Sequence, residues 1–320
     1  MKRVLTAVIL IPLVILALFK APLWLFTLLV LGVALLAGRE YLDIASSAGF
    51  RPFRGLSYFF LVCGFALLTM SFLGDWRMLR NLGFGAVILG LVELIPLILS
   101  PFVFLVASLR RDPLSQALPD AAVSYMLLPY VGVTLACLVV LRAMGNGAMF
   151  VLYVMLLVWT GDIVAFYVGR AIGKHKLAPR VSPGKTWEGA IASAIGAILV
   201  AVTLFRFVMP VYKCLIRLHL VPPGYMAFNS DLVAARLVPA PIWLVITFAV
   251  CVNVAAQLGD LGESAMKRGS GLKDSGSILP GHGGVLDRID ALLFAVPVAL
   301  LFYVLGDLSN YFTAQGFLIS

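Results

Sequence analysis

Charged side chains are scarce in this sequence. Asp, Glu, Lys and Arg together supply 12% of its 320 residues, about half their share in an ordinary soluble domain. Hydrophobic residues supply 62%, and the mean hydropathy is +1.05. That deficit of charge excludes a water-soluble globule. Cysteine is also rare: Cys63, Cys137 and Cys251 lie in apolar runs and Cys214 near the end of one. With no CxxC or Cys/His spacing they read as small hydrophobes, which excludes a disulfide framework and a zinc site. Histidine occurs only as His175, His219 and His282. Low-complexity segments and clear internal repeats are missing too.

Long apolar runs are what the chain has instead. They fall at roughly 4–19, 22–38, 56–73, 82–108, 121–141, 148–168, 188–209, 241–258 and 291–313, each near the length that crosses a bilayer. The expected fold is therefore an all-α polytopic integral membrane protein with about nine transmembrane helices. The 82–108 run contains Glu93 and Pro96, so a kink or break is expected there. Met1-Lys2-Arg3 precedes the first run, no small-x-small site follows it, and a second run begins at once. These features read as an anchor and not as a cleaved signal peptide.

The net charge of +9 is distributed by topology and is no nucleic-acid footprint. With the N-terminus in the cytoplasm, sixteen Lys and Arg fall inside and seven outside, as the positive-inside rule requires. The loops 169–187 and 259–290 then share the cytoplasmic face. The expected division is 1–147, plain transmembrane helices, and 148–320, a catalytic region carrying both loops.

The first loop contains Gly173-Lys174-His175-Lys176 and Ser182-Pro183-Gly184-Lys185-Thr186-Trp187-Glu188-Gly189. Gly184-Lys185-Thr186 looks like the tail of a P-loop, but residue 179 is proline where that motif needs glycine, and no strand is expected. Ser182 is instead expected to cap a helix starting near Pro183, whose free amides would cradle a phosphate. Asp162 falls within an apolar run, and a carboxylate at that depth is a functional candidate; Glu93, isolated beside Pro96, is a weaker one.

The second loop is denser. Gly259-Asp260-Leu261-Gly262-Glu263-Ser264 ends one span and Lys267-Arg268 follows. The i, i+4 spacing puts Asp260 and Ser264 on one helix face, with Lys267 a turn further. Lys273-Asp274 comes next, and then Pro280-Gly281-His282-Gly283-Gly284, a stretch that permits close backbone approach to a ligand. Asp287-Arg288-Ile289-Asp290 opens the last helix, with Asp287 and Asp290 projecting together. Interleaved cations, glycines and carboxylates suit a phosphate ester and a metal ion, and the oxygen ligands favour magnesium.

The run Ser264-x-x-Lys267-Arg268-x4-Lys273-Asp274-x-Gly276-x-x-Leu279-Pro280-Gly281-His282-Gly283-Gly284-x-x-Asp287-Arg288-x-Asp290 resembles the signature of the phosphatidate cytidylyltransferases (CDP-diacylglycerol synthases), with no departure. Residues 173–189 resemble a second block of that family. The matched blocks cover about 159–190 and 257–292, and the N-terminal third agrees only in hydropathy. The resemblance implies a nucleotidyltransferase that joins CTP and phosphatidate to give CDP-diacylglycerol and pyrophosphate. It also implies a magnesium requirement with room for a second cation, a homodimer, and a multi-pass place in the cell inner membrane among its lipids. Carried over by position, Asp260 and Asp287 would hold the metal, and Asp260, Lys267, Asp287 and Asp290 would be catalytic. Ser182, Lys185, Thr186, Ser264, Arg268, Lys273, Asp274, His282, Gly283, Gly284 and Arg288 would bind substrate. Two rival classes fit less well. A transporter of anionic solutes would carry polar groups near the midplane of several spans. A CDP-alcohol phosphotransferase would carry DGxxAR…GxxxDxxxD, which this sequence lacks.

Overall fold

A computed structural model describes residues 2–73, 85–144, 146–221, 242–278 and 283–318. Its helices are α1 (Lys2–Lys20), α2 (Leu23–Ser47), α3 (Arg54–Leu73), α4 (Gly85–Ser108), α5 (Ala117–Leu127), α6 (Thr134–Ala143), α7 (Gly147–Ile172), α8 (Trp187–Arg206), α9 (Val208–Arg217), α10 (Ile242–Gly269) and α11 (Leu286–Leu318). A 3-10 turn, Leu114–Gln116, precedes α5, and a π-helical stretch, Leu128–Val133, joins it to α6. Two short strands, β1 (Lys176–Ala178) and β2 (Ser182–Thr186), pair antiparallel between α7 and α8.

Seven stretches among the described residues are long and apolar enough to cross a bilayer: Leu23–Ser47, Arg54–Phe72, Leu114–Ala143, Gly147–Ile172, Trp187–Arg206, Ile242–Gly269 and Leu286–Gly306. They stand at seven of the nine expected positions. At the other two lie the shorter apolar helices Leu10–Lys20 and Leu94–Ser108. Large apolar side chains such as Phe166, Leu199 and Trp243 face outward, while Ser193, Asn253 and Glu263 are buried. That is the arrangement a hydrocarbon solvent selects, because polar groups there must find partners inside the protein. The chain is an all-α polytopic membrane protein.

Two helices continue into the expected loops. α10 runs through the first eleven residues of 259–290, ending at Gly269, and α7 runs to Ile172. Lys267 and Arg268 fall in the last turn of α10 and Arg170 in that of α7, where cations are favoured by the helix dipole. Asp260 therefore lies inside α10 and not at its terminus.

The chain falls into two units. The first comprises Met1–Val8, Pro22–Val139 and Ala265–Ile289. Within it α3 packs against α2 and α4, and α4 against α5, around Phe60, Leu61, Phe65, Phe104, Leu127 and Val131. The turn between α2 and α3 is tied down by polar groups of α5. Asp120 Oδ1 accepts from Arg51 N at 2.8 Å and Ser124 Oγ from Phe53 N at 2.8 Å.

The second comprises Ile9–Ala21, Val140–Ser264 and Asp290–Ser320. Here α7 and α8 lie side by side along their lengths. At Gly161 a Cβ would stand 2.5 Å from Asn253 Nδ2 and 2.9 Å from Ser193 Oγ, so only glycine lets α7 approach that polar contact. Asn253 donates to Ser193 Oγ at 2.8 Å, and Gln257 donates to Asn253 Oδ1 at 2.6 Å and to Ala190 O at 3.2 Å. Interhelical hydrogen bonds of this kind hold helices in lipid, where apolar burial gives no preference for protein over acyl chain. They fix α8 against α10 one to two turns from Asp260.

Asp162 lies inside α7 with its side chain exposed. Glu93 lies on α4, with its side chain outside the described residues.

Candidate active site

In the second unit the sequence after α7 turns back on itself. β1 and β2 pair with Lys176 opposite Thr186 and Ala178 opposite Ser182. Ser182 therefore does not cap a helix, contrary to the expectation, and Pro183 lies in a strand. The helix begins four residues later. Thr186 is its cap and accepts from Gly189 N at 3.2 Å, while Trp187 N donates to His175 O at 2.9 Å. The physical reason is the hairpin: pairing with β1 holds 182–186 extended, and Thr186 is the first residue whose side chain can reach a free amide of α8. Glu188, in the first turn, accepts from His175 through the ring Nδ1 at 2.7 Å and the backbone N at 3.2 Å. The loop is thereby closed at both ends.

This closure sets the position of Lys185, the penultimate residue of β2. Lys185 Nζ lies 2.7 Å from Asp260 Oδ2, the two side chains being 26% and 35% exposed. Ser264, one turn on along α10, lies 3.4 Å from the other carboxylate oxygen. The structure thus brings together three expected site residues, Lys185, Asp260 and Ser264. A partly solvated cation–carboxylate pair of this kind contributes little to stability, and its presence calls for another explanation.

The first unit contains a second, more deeply buried pair. Lys267 Nζ lies 2.5 Å from Asp287 Oδ1, with the side chains 11% and 7% exposed. The other oxygen of Asp287 accepts from Gly284 N at 2.8 Å and from Ser275 N at 3.0 Å. The carboxylate is thus turned back over its own loop and oriented by three donors. Gly283 (φ +80°) supplies the left-handed turn ahead of it, a conformation glycine adopts without steric cost.

Glu40, on α2, is a residue sequence reasoning missed. It is 2% exposed and accepts from Val285 N at 2.9 Å, Leu286 N at 2.7 Å and Ser275 Oγ at 2.9 Å. A lone glutamate between arginine and tyrosine near the end of an apolar helix gives no signal of a partner some 240 residues away.

Other expected residues are more dispersed. Arg268 Nη1 donates to Leu272 O at 3.3 Å. Lys273, Asp274 and Arg288 are exposed. Asp290, in the second unit, accepts from Ala291 N at 2.8 Å. Leu279, Pro280, Gly281 and His282 lie outside the described residues. Two cations are thus held by carboxylates, Lys185 by Asp260 in the second unit and Lys267 by Asp287 in the first. A cation so held can neutralise a phosphate in a partly desolvated setting.

Comparison with known proteins agrees with this chemistry. Residues 1–305 match the model of the cytidylyltransferase family, so the likeness extends well beyond the two motif blocks into the N-terminal helices. A phosphatidate cytidylyltransferase of Haemophilus influenzae is 45% identical over 159 residues, 49% of this chain and 46% of that protein. One of Staphylococcus haemolyticus is 37% identical over 179 residues, 56% of this chain and 57% of that protein. The chain spans about half the length of the curated relatives it matches. It belongs to the cytidylyltransferase family.

Proposed function

We propose that this member of the cytidylyltransferase family is a phosphatidate cytidylyltransferase, a membrane nucleotidyltransferase of phospholipid biosynthesis. A phosphate oxygen of phosphatidate attacks the α-phosphorus of CTP. The bond from that phosphorus to the bridging oxygen breaks, and pyrophosphate leaves as CDP-diacylglycerol forms. The observation that carries this reading is the buried Lys267–Asp287 pair, set by two backbone amides inside the 264–290 motif at the ends of two apolar helices. Such a place lets a lipid phosphate at the headgroup plane meet a water-soluble nucleotide.

The chemistry asks little covalent work of the protein. A phosphate monoester has its second pKa near 6, so phosphatidate is largely ionised at neutral pH and needs no protein base to become nucleophilic. Positioning and charge neutralisation supply the acceleration. Lys185 and Lys267 are the groups proposed to face phosphate oxygens, each already oriented by a carboxylate. Arg268, Lys273, Arg288, Ser264 and Thr186 are further residues proposed to bind substrate.

Magnesium fits the donor set. Among the described residues no three His, Cys, Asp or Glu side chains cluster, so an all-protein cage is not on offer there. Magnesium commonly takes one or two carboxylates and completes its shell with water and phosphate oxygens. Asp260 and Asp287 are each proposed as a residue that would hold such an ion. When bound, the ion neutralises triphosphate charge and polarises the phosphoryl oxygens.

The test is direct. Purified protein in detergent, given phosphatidate and each labelled nucleoside triphosphate in turn, is expected to form a liponucleotide from CTP. Formation should stop with a chelator and resume with magnesium. Absence of any liponucleotide at saturating magnesium would overturn the reading.

We further propose a homodimer in the cell inner membrane, with 169–187 and 259–290 on the cytoplasmic side, where CTP is found. The charge asymmetry of the sequence supports that orientation. In a background free of Cys63, Cys137, Cys214 and Cys251, a Ser277→Cys variant is expected to resist an impermeant thiol reagent in intact cells and to label after permeabilisation. Ser277 is exposed and outside the Glu40 contacts. Labelling from outside would invert the topology.

A further inference from the structure

We propose that Glu40 is a positioning residue for the reaction, acting through Ser275 and Gly284 on the Asp287 carboxylate; this rests on the function proposed above. The geometry has three parts, all within the first unit. First, Glu40 fills the amides that open α11. Val285 N donates to Oε1 at 2.9 Å and Leu286 N to Oε2 at 2.7 Å, a cap supplied by another helix in place of a local side chain. Negative charge at a helix N-terminus is favoured by the dipole and the unpaired amides there.

Second, Glu40 and Asp287 share Ser275. The Ser275 hydroxyl donates to Glu40 Oε2 at 2.9 Å and accepts from Asp287 N at 3.3 Å, while Ser275 N donates to Asp287 Oδ2 at 3.0 Å. Asp287 lies in the first turn of α11 and its carboxylate accepts from Lys267, Gly284 N and Ser275 N. Glu40 and Ser275 meet the amides of Val285, Leu286 and Asp287, so the Asp287 carboxylate is left to those three donors.

Third, the loop carries glycine at the two points where it passes Glu40. A Cβ at Gly276 would stand 2.7 Å from Glu40 Oε1, and one at Gly284 would stand 2.3 Å from Oε2 and 2.1 Å from Ser275 Oγ. The backbone is packed directly onto the carboxylate.

The carboxylate form is required. Both oxygens accept, and together they meet three donors. A glutamine can accept on one atom only and would aim its NH2 group at a donor. Glu40→Gln is therefore expected to lower kcat about 100-fold with an unchanged elution volume in detergent, an effect typical of a displaced catalytic group. Ser275→Ala, which removes one hydroxyl, is expected to lower kcat about tenfold, an effect of about one hydrogen bond.

The deciding readout is additivity, measured with labelled CTP and excess enzyme. If Glu40 acts through Asp287, then Glu40→Gln/Asp287→Asn is no slower than Asp287→Asn alone, and the same holds for Ser275→Ala/Asp287→Asn. Losses that multiply would show a merely structural role and overturn the proposal. So would near-parental turnover in Glu40→Gln beside an inactive Asp287→Asn. Should Glu40→Gln fail to fold, the Ser275→Ala pair decides alone, and an unchanged or multiplicative result there overturns the proposal. A parent enzyme that forms no liponucleotide would instead point to failure of the function itself.

Discussion

Asp287→Asn is expected to reduce turnover several hundred-fold, the equivalent of about 3–4 kcal/mol for one electrostatic contact in a desolvated site. The carboxylate has three donors on its two oxygens: Lys267 on one, and Gly284 N and Ser275 N on the other. Asparagine presents an acceptor to one side and an NH2 group to the other, so one set of donors meets a donor. Lys267, only 11% exposed, keeps its charge while the carboxylate facing it is gone. Breaking a buried pair on one side also costs about 3–5 kcal/mol of stability, so lost activity by itself would not separate chemistry from folding. Lys267→Met/Asp287→Asn separates them. Removing both charges should recover most of the unfolding temperature and none of the turnover. Recovery of turnover would show that the pair only holds the loop together. Asp260→Asn provides the contrast. That side chain is 35% exposed beside Lys185, so its loss should leave stability nearly unchanged while lowering turnover to a similar extent. Near-parental turnover at saturating magnesium would remove Asp260 from the proposed ligands.

Gly284→Ala should be nearly as damaging, although it alters no charge. The added methyl would stand 2.1 Å from Ser275 Oγ and 2.3 Å from Glu40 Oε2. Neither neighbour is the free end of a flexible chain, since both are buried and hydrogen-bonded to the same loop. The backbone must move, and Gly284 N, which orients Asp287, moves with it. Overpacking of this sort costs about 1–3 kcal/mol, and the displaced amide should lower kcat about 100-fold through lost positioning. Gly55→Ala, where a Cβ meets nothing within 4 Å, is the matched control and should behave like the parent. Equal turnover in the two variants would mean that the loop tolerates the shift and that contact with Glu40 does not govern the site.

Particular residues show what was legible before the structure. Asp260 and Ser264 at i, i+4 read correctly as one helix face, because a four-residue spacing is intrinsic to an α-helix. The motif contains both Lys267 and Asp287, but nothing in their 20-residue separation announces that they pair. Ser182 is no cap because an N-cap is a local pattern that several Ser and Thr can satisfy. The choice of Thr186 is made by β1, whose pairing holds Ser182 in a strand. Glu40 was not legible at all. Two of its three partners are backbone amides, which carry no residue identity for a sequence to display.

The sequence by itself determined the solvent and the family. Hydropathy is a sum over neighbouring residues, so apolar runs specify membrane helices without reference to the rest of the chain. The order of glycine, lysine and aspartate in 264–290 likewise carries the resemblance to the family to which the chain belongs. The tertiary structure decided which oxygens face which donors. That depends on approach distances between segments remote in sequence: α2 onto the start of α11, and β2 onto α10. Where water is excluded, as around Glu40, such an approach is set by the pairing of each buried amide and carboxylate, and these pairings exist only once the chain has folded.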